Sequence, residues 1–206
     1  MVVLTLPVGM LEANCYVVAA EEGAEAVAID PGGDADVILA AAQDHGLHIT
    51  HILDTHGHPD HTAGNFDLKA ATGAKLYIHE ADRAMIEGSG REWAFTGLVH
   101  VPCNADETLN DGDELAVGAL ALRVVHTPGH TPGGCCFAVG DALFTGDTLF
   151  AGSVGRTDFP GGDMDTLEAS LARIIALFPD ETVLYPGHGD ATTLGEEKAT
   201  NPWLVD

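Results

Sequence analysis

Basic residues are scarce in this chain: 8 Lys and Arg stand against 32 Asp and Glu, a formal net charge of −24. So negative a surface repels phosphate backbones and anionic lipid heads, which argues against nucleic acid and membranes as partners. Most of the acidic excess reads as a solvated surface, since a few cation-binding carboxylates account for little of it. Long apolar runs are missing too, and nothing approaches the length of a membrane-spanning helix. The apolar stretch from Val2 to Leu6 is interrupted by Pro7, and no Lys or Arg precedes Lys69. The basic segment that opens a secretory signal is therefore absent, and a cytoplasmic location is expected. Finally, Cys15, Cys103, Cys135 and Cys136 contain no C-x-x-C pair. Cys135 and Cys136 are adjacent in an apolar run, so in a strand they face opposite sides of a sheet. Buried, reduced thiols are the expectation.

What is present fits a globular α/β chain. With 206 residues and 46% apolar content, one domain spanning residues 1–206 can bury a sizeable core. Strand-like runs occupy Asn14 to Ala20, Glu25 to Asp30, Ile49 to Thr55 and Lys75 to His79. Others follow at Leu120 to Val125, Cys135 to Val139, Ala142 to Thr145 and Thr182 to Tyr185. Between them, Asp34 is expected to cap a helix from Ala35 to about His45, stopped by Gly46. A second helix is expected over Ala63 to Thr72, with Gly73 beyond its end. A third runs from Thr166 to Phe178, with Leu167, Leu171, Ile174, Ile175 and Phe178 on one stripe. The stretch from Gly88 to Asp113 is the longest irregular connection, of the kind that borders active sites. No repeat or low-complexity linker interrupts the pattern.

The run Ile49 to Thr55 leads at once into His56-Gly57-His58-Pro59-Asp60-His61. Three imidazoles and a carboxylate within six residues make poor packing and good metal ligands. Gly57 and Pro59 point to an irregular loop, in which neighbouring side chains can diverge onto two ions. Imidazole and carboxylate without thiolate suit zinc or iron. Three further strands also end in polar residues: His126-Thr127-Pro128-Gly129-His130, Gly146-Asp147, and Pro186-Gly187-His188-Gly189. Ligand sites in α/β sheets gather beyond the carboxyl ends of strands in this way. Each residue alone reads as an ordinary surface or hydrogen-bonded side chain; together they read as one ligand set.

The run Thr55 to His61, followed in order by His130, Asp147 and His188, resembles the metallo-β-lactamase superfamily. Within it the chain is most similar to short-form glyoxalase II-like proteins. That narrower likeness rests on Asn14-Cys15-Tyr16, Thr145 to Phe150, Gly155-Arg156-Thr157-Asp158-Phe159, Pro186 to Gly189 and Asn201-Pro202-Trp203-Leu204. The resemblance implies a four-layer αββα sandwich with the site at one edge. It implies two divalent metal ions: zinc first, with iron or a mixed zinc/iron pair as alternatives. His56, His58 and His130 would hold one ion, Asp60, His61 and His188 the other, and Asp147 would bridge them. Asp30 matches an acidic position near the site, with a supporting or purely structural role. His45, His48, His51, His79, His100 and His126 match no ligand position. The implied reaction is hydrolysis of a thioester such as S-lactoylglutathione by a hydroxide held between the metals.

Departures from the long-form glyoxalase II pattern bear on substrate. The helical domain that helps grip glutathione there has no counterpart after His188. Arg156 matches a glutathione-binding lysine and is the candidate substrate-binding residue, or else it pairs with Asp158. Asp158 and Asp190 stand where two glutathione-contacting tyrosines match, so tight glutathione recognition is not expected. The Gly155-to-Phe159 run is also similar to that of persulfide dioxygenases, which would use His56, His130 and Asp147 for a single iron. A nuclease is disfavoured by the charge, and a non-catalytic metal-binding module by the completeness of the ligand set. The oligomeric state is left open.

Overall fold

The computed structural model describes residues 1–205, and of residues 92 and 95 the backbone alone. The first half of the chain builds a six-stranded sheet in sequence order. Its strands are β1 (Val2–Val8), β2 (Ala13–Ala19), β3 (Glu25–Ile29), β4 (His48–Leu53), β5 (Lys75–His79) and β6 (Glu107–Leu109). The first three pair antiparallel and the rest parallel. Helices α1 (Ala35–Asp44), α2 (Pro59–Thr62), α3 (Asn65–Thr72) and α4 (Arg83–Glu87) lie in this half. The second half adds β7 (Glu114–Val117), β8 (Leu120–His126), β9 (Cys135–Val139) and β10 (Ala142–Gly146). A small ribbon of β11 (Leu149–Phe150) and β12 (Ser153–Val154) follows, then α5 (Met164–Leu177), β13 (Val183–Pro186), β14 (Thr192–Thr193) and α6 (Leu194–Thr200). The second sheet runs in the order β14-β13-β10-β9-β8-β7.

Three apolar clusters show how these elements layer. Ile38 and Ala42 of α1 and Leu68 of α3 pack on Val17, Ala28, Ile52 and Leu76. The opposite face of that sheet presents Tyr16, Val18, Val27 and Leu53 to Leu122, Val124, Phe137 and Phe144 of the second sheet. Beyond the second sheet, Val125, Cys136, Leu143 and Leu184 meet Leu167, Leu171 and Ile174 of α5. The result is the expected αββα sandwich. Strand alternation explains the division: Val17 and Val18 go to different clusters, as do Cys135 and Cys136. All four cysteines are free and buried.

Several local expectations are corrected. Asp34 stands at the N-cap position of α1 but its side chain makes no capping bond; it takes a left-handed conformation at φ 45°, and its carboxylate accepts from Gly9 N at 2.8 Å, pinning the β1–β2 hairpin. The helix expected over Ala63 to Thr72 starts later, at Asn65, and ends at Thr72 as expected, while a separate short helix, α2, ends at Thr62. The metal-motif loop is thus partly helical: Pro59 occupies the first helical position, where its missing N–H costs nothing. Val2 to Leu6 belongs to a strand, since Pro7 lies in β1 at the sheet edge, where the ladder does not need its donor. The stretch from Gly88 to Asp113 contains a 3-10 segment at Arg91–Thr96 and strand β6, so it is less irregular than expected. Among the described residues, no helix is long and apolar enough to cross a membrane.

Candidate metal centre

Two parallel registers bring the polar strand ends together. Ile29 pairs with Leu53, so Asp30 and the segment Asp54-Thr55-His56 leave adjacent strands side by side. Gly146 pairs with Pro186, which sets Asp147 beside Gly187 and His188. The last link, from Cys135 N to Thr55 O at 2.8 Å, joins the edges of the two sheets. Close approach then demands glycine. A Cβ on Gly187 would lie 2.3 Å from Asp147 Oδ1, and Gly146, at φ 47°, would place one 2.3 Å from Thr55 Oγ1.

All seven expected ligands converge. The ligand atoms of His56, His58 and His130 lie within 4.8 Å of one another, and so do those of Asp60, His61 and His188. Asp147 sits between these groups: Oδ1 is 3.3 Å from His61 Nε2, and Oδ2 is 3.5 Å from His130 Nε2 and 3.9 Å from His188 Nε2. The set Asp30, His56 and His61 is equally compact, but the Asp30 oxygens are already engaged. They accept from Thr55 N at 2.7 Å and Thr55 Oγ1 at 2.6 Å, and lie 3.1 Å from His61 Nδ1. Asp30 therefore orients His61 and leaves Nε2 for the centre, an outer-sphere role. It does so from φ 53°, a left-handed backbone that costs about 1–2 kcal/mol; its hydrogen bonds offset that cost. His130 is oriented likewise, its Nδ1 lying 2.7 Å from Arg156 O.

The polar atoms of this cluster fit divalent cations. Nε2 of His56, His58 and His61 and Oδ1 of Asp147 are buried without a hydrogen-bond partner. His61 Nε2 and Asp147 Oδ1 face each other closely but outside hydrogen-bond geometry. An unsatisfied buried polar atom costs about 1–3 kcal/mol, so such a group needs a ligand to satisfy it. Protonation states agree. Burial, then the neighbouring imidazoles, push His56 well below the imidazole range and His58 down to about 3, leaving both neutral. Burial raises the Asp147 carboxyl, but His61, His56 and His130 outweigh it and hold it well below the carboxylate range. Burial lowers His61, but Asp147, Asp60 and Asp30 outweigh it and hold that ring well above the imidazole range. A ring flanked by three carboxylates occupies a position made for positive charge.

Two supports add to this: Asp82, which the sequence did not single out, and Asn14 with Tyr16, whose motif was noted without its role. Asp82 is fully buried and accepts from Gly57 N at 3.0 Å, Thr131 Oγ1 at 2.6 Å and Gly133 N at 2.6 Å. It ties the loop of His56 and His58 to the loop of His130. Asn14 Nδ2 donates to Pro186 O at 3.0 Å and Gly189 O at 2.9 Å, and Tyr16 Oη donates to Pro186 O at 2.6 Å. These bonds hold the turn that carries His188.

A family model described as the metallo-beta-lactamase superfamily matches residues 8–188. The chain belongs to that superfamily. An uncharacterized protein of Aquifex aeolicus is 39% identical, over 98% of this chain and 97% of its own. The hydroxyacylglutathione hydrolase GloC of Haemophilus influenzae is 34% identical, over 97% of this chain and 96% of its own. Among solved structures, the BLEG-1 B3 metallo-beta-lactamase superposes with a TM-score of 0.92 at 34% identity, covering 100% of both chains. TTHA1623 in a di-iron-bound form gives 0.87 at 39% identity, covering 98% of this chain and 100% of that one. ETHE1 from Myxococcus xanthus gives 0.81 at 33% identity, covering 98% and 84%.

In this superfamily member the centre opens into a cleft of about 720 Å³, lined by Asp60, Asp147 and His188 and walled by Met10, Leu11, Trp93, Leu98, Phe150 and Phe159. Trp93 and Phe159 stand edge-on to the His58 ring, at 4.7 and 5.8 Å between centroids. Arg156 reaches the cleft, but its guanidinium forks onto Asp158 at 2.7 and 2.8 Å. Asp190 faces a neighbouring cleft with Glu12, Tyr16 and Tyr185. The other histidines serve elsewhere: His79 stacks on His126 at 4.1 Å, His51 on Tyr77 at 5.5 Å, and His100 Nε2 lies 3.0 Å from Gly88 O.

Proposed function

We propose that the protein is a dinuclear metal-dependent hydrolase acting on thioesters, with S-lactoylglutathione as the reference substrate for its chemistry. The observation that carries this reading is Asp147, partly buried between two three-residue ligand groups and within 4 Å of histidines from both. His56, His58 and His130 would hold one cation and Asp60, His61 and His188 the other, with Asp147 shared. Two divalent cations would supply Lewis-acid polarisation of the thioester carbonyl and would lower the pKa of a bound water toward ~7.

The chain's own residues prepare that chemistry. His56 and His58 present neutral rings; Asp30 and the Arg156 carbonyl fix the orientations of His61 and His130. Asp82 holds the two ligand loops at constant separation. A thiol of pKa ~8.5 departs readily as thiolate, so no dedicated acid is required at the leaving group. No serine or cysteine nucleophile is needed, and the four cysteines are buried. The 34% identity to a hydroxyacylglutathione hydrolase supports the thioester class.

The likeness to ETHE1, together with the Gly155-to-Phe159 run, favours a second reading as a mononuclear iron persulfide dioxygenase. The deciding experiment measures metal content alongside activity on S-lactoylglutathione, neutral thioesters, a β-lactam and glutathione persulfide. Two metals per chain with thiol release from thioesters supports the proposal. One iron per chain, with oxygen uptake and sulfite from the persulfide, would replace it with the dioxygenase.

A further inference from the structure

We infer that the cleft selects neutral, apolar thioesters over thioesters of anionic peptide thiols; this rests on the thioester reading above. Two features of the cleft point the same way. Its lining is largely apolar: Trp93 and Phe159 abut His58, and Leu98, Phe150, Met10 and Leu11 line the same cleft. Met10 and Leu11 are 74% and 50% exposed at the tip of the β1–β2 hairpin and add nothing to the three core clusters. Scattered surface apolar residues need no explanation, but these two line the same cleft as Trp93, Leu98, Phe150 and Phe159, as in a ligand-binding groove.

The second feature is charge. Arg156 is the one Lys or Arg lining the cleft among the described residues, and Asp158 engages it through two hydrogen bonds. Its guanidinium also lies over the Phe159 ring at 3.8 Å, flattened against the wall. Asp60 and Asp147 also line the cleft but would be engaged by the cations, so the field a substrate meets is that of Asp158 and of a chain of net charge −24. A tripeptide thiol brings further carboxylates to this field with no unpaired lysine or arginine to meet them, whereas an alkyl or aryl group finds a surface to bury against. In the reaction, water adds oxygen to the acyl carbon and the C–S bond breaks. The products are a carboxylate, a proton and a neutral thiol.

The test uses two-metal-loaded protein and N-acetylcysteamine thioesters of acetate, butanoate and hexanoate, beside glutathione thioesters of the same acids. We expect kcat/KM to rise by up to about fourfold per added methylene in the neutral series. The neutral thioester should exceed its glutathione counterpart at every acyl length. The double variant Met10→Ser/Leu11→Ser, altered only at exposed positions, should flatten the series. A flat wild-type series, or preference for the glutathione thioesters, overturns the inference. A binding arm separates this from failure of the hydrolase reading. Trp203→Phe leaves Trp93 as the sole tryptophan of two, and its fluorescence reports S-hexyl-N-acetylcysteamine or S-hexylglutathione entering the cleft. If no thioester is cleaved, the hydrolase reading falls. Tighter binding of the neutral thioether then still supports the inference, and equal or tighter binding of S-hexylglutathione overturns it.

Discussion

Arg156 donates both arms of its fork to Asp158, so its charge meets a substrate carboxylate already opposed. Both side chains are more than half exposed, and exposed pairs contribute little to stability. Asp158→Asn should therefore leave folding unchanged while lowering KM for a glutathione thioester several-fold and sparing a neutral one. Steady-state kinetics on both substrates check this, and an unchanged KM for the anionic thioester would remove Arg156 from substrate binding. Asp82 behaves differently because it is buried. Asp82→Ala leaves the donors of Gly57, Thr131 and Gly133 unpaired, at about 1–3 kcal/mol each where burial persists. Urea unfolding should show a loss of roughly 3 kcal/mol or more; a loss under ~1 kcal/mol would mean that water replaces the carboxylate. The Arg156–Asp158 pairing was one of two readings open in the sequence, whereas the role of Asp82 was not legible there. Asp82 is one acidic residue among 32, and the strand pairings that bring Gly57 and Gly133 to it are long-range.

At the scale of elements, α5 carries the clearest sequence signal and the simplest energetics. Asp163 caps it by accepting from Thr166 N at 2.8 Å, and Leu167, Leu171 and Ile174 bury one face against the second sheet. Leu171→Ala should cost about 2–5 kcal/mol in urea unfolding while leaving metal content intact, since the helix supplies no ligand. Loss of metal along with stability would mean that α5 sets the ligand loops directly. Periodicity made the central strands and α5 legible because buried faces impose a strict alternation or stripe. It failed where local chemistry is ambiguous. Pro59 serves equally as a helix breaker or as a first helical residue, and only the packing of His61 decides. Pro7 forbids a central strand but not an edge one, and the edge is a tertiary fact. Asp34 looks like a cap, yet the Gly9 amide claims its carboxylate. Trp93 lies in the Gly88-to-Asp113 stretch expected to border the site, whereas Met10 gave no signal as a cleft wall, because an apolar residue near Gly reads equally as core.

On the scale of the whole molecule, the sheets arrange four distant strand ends into one edge, and the ligand set was legible because those ends are chemically unlike their strands. The partition into two groups rested on resemblance alone, and the geometry now gives it distances. The chain concentrates carboxylates at a point that calls for positive charge: Asp30, Asp60 and Asp147 surround His61. Divalent cations at that point would tie the two sheet edges together through their shared ligands. The most direct measurement is metal content per chain by mass spectrometry for the wild type, His61→Ala and Asp147→Ala. The two-metal account predicts two ions in the wild type, about one in His61→Ala, and depletion of both in Asp147→Ala. A single ion in the wild type, retained in full by His61→Ala, would contradict it.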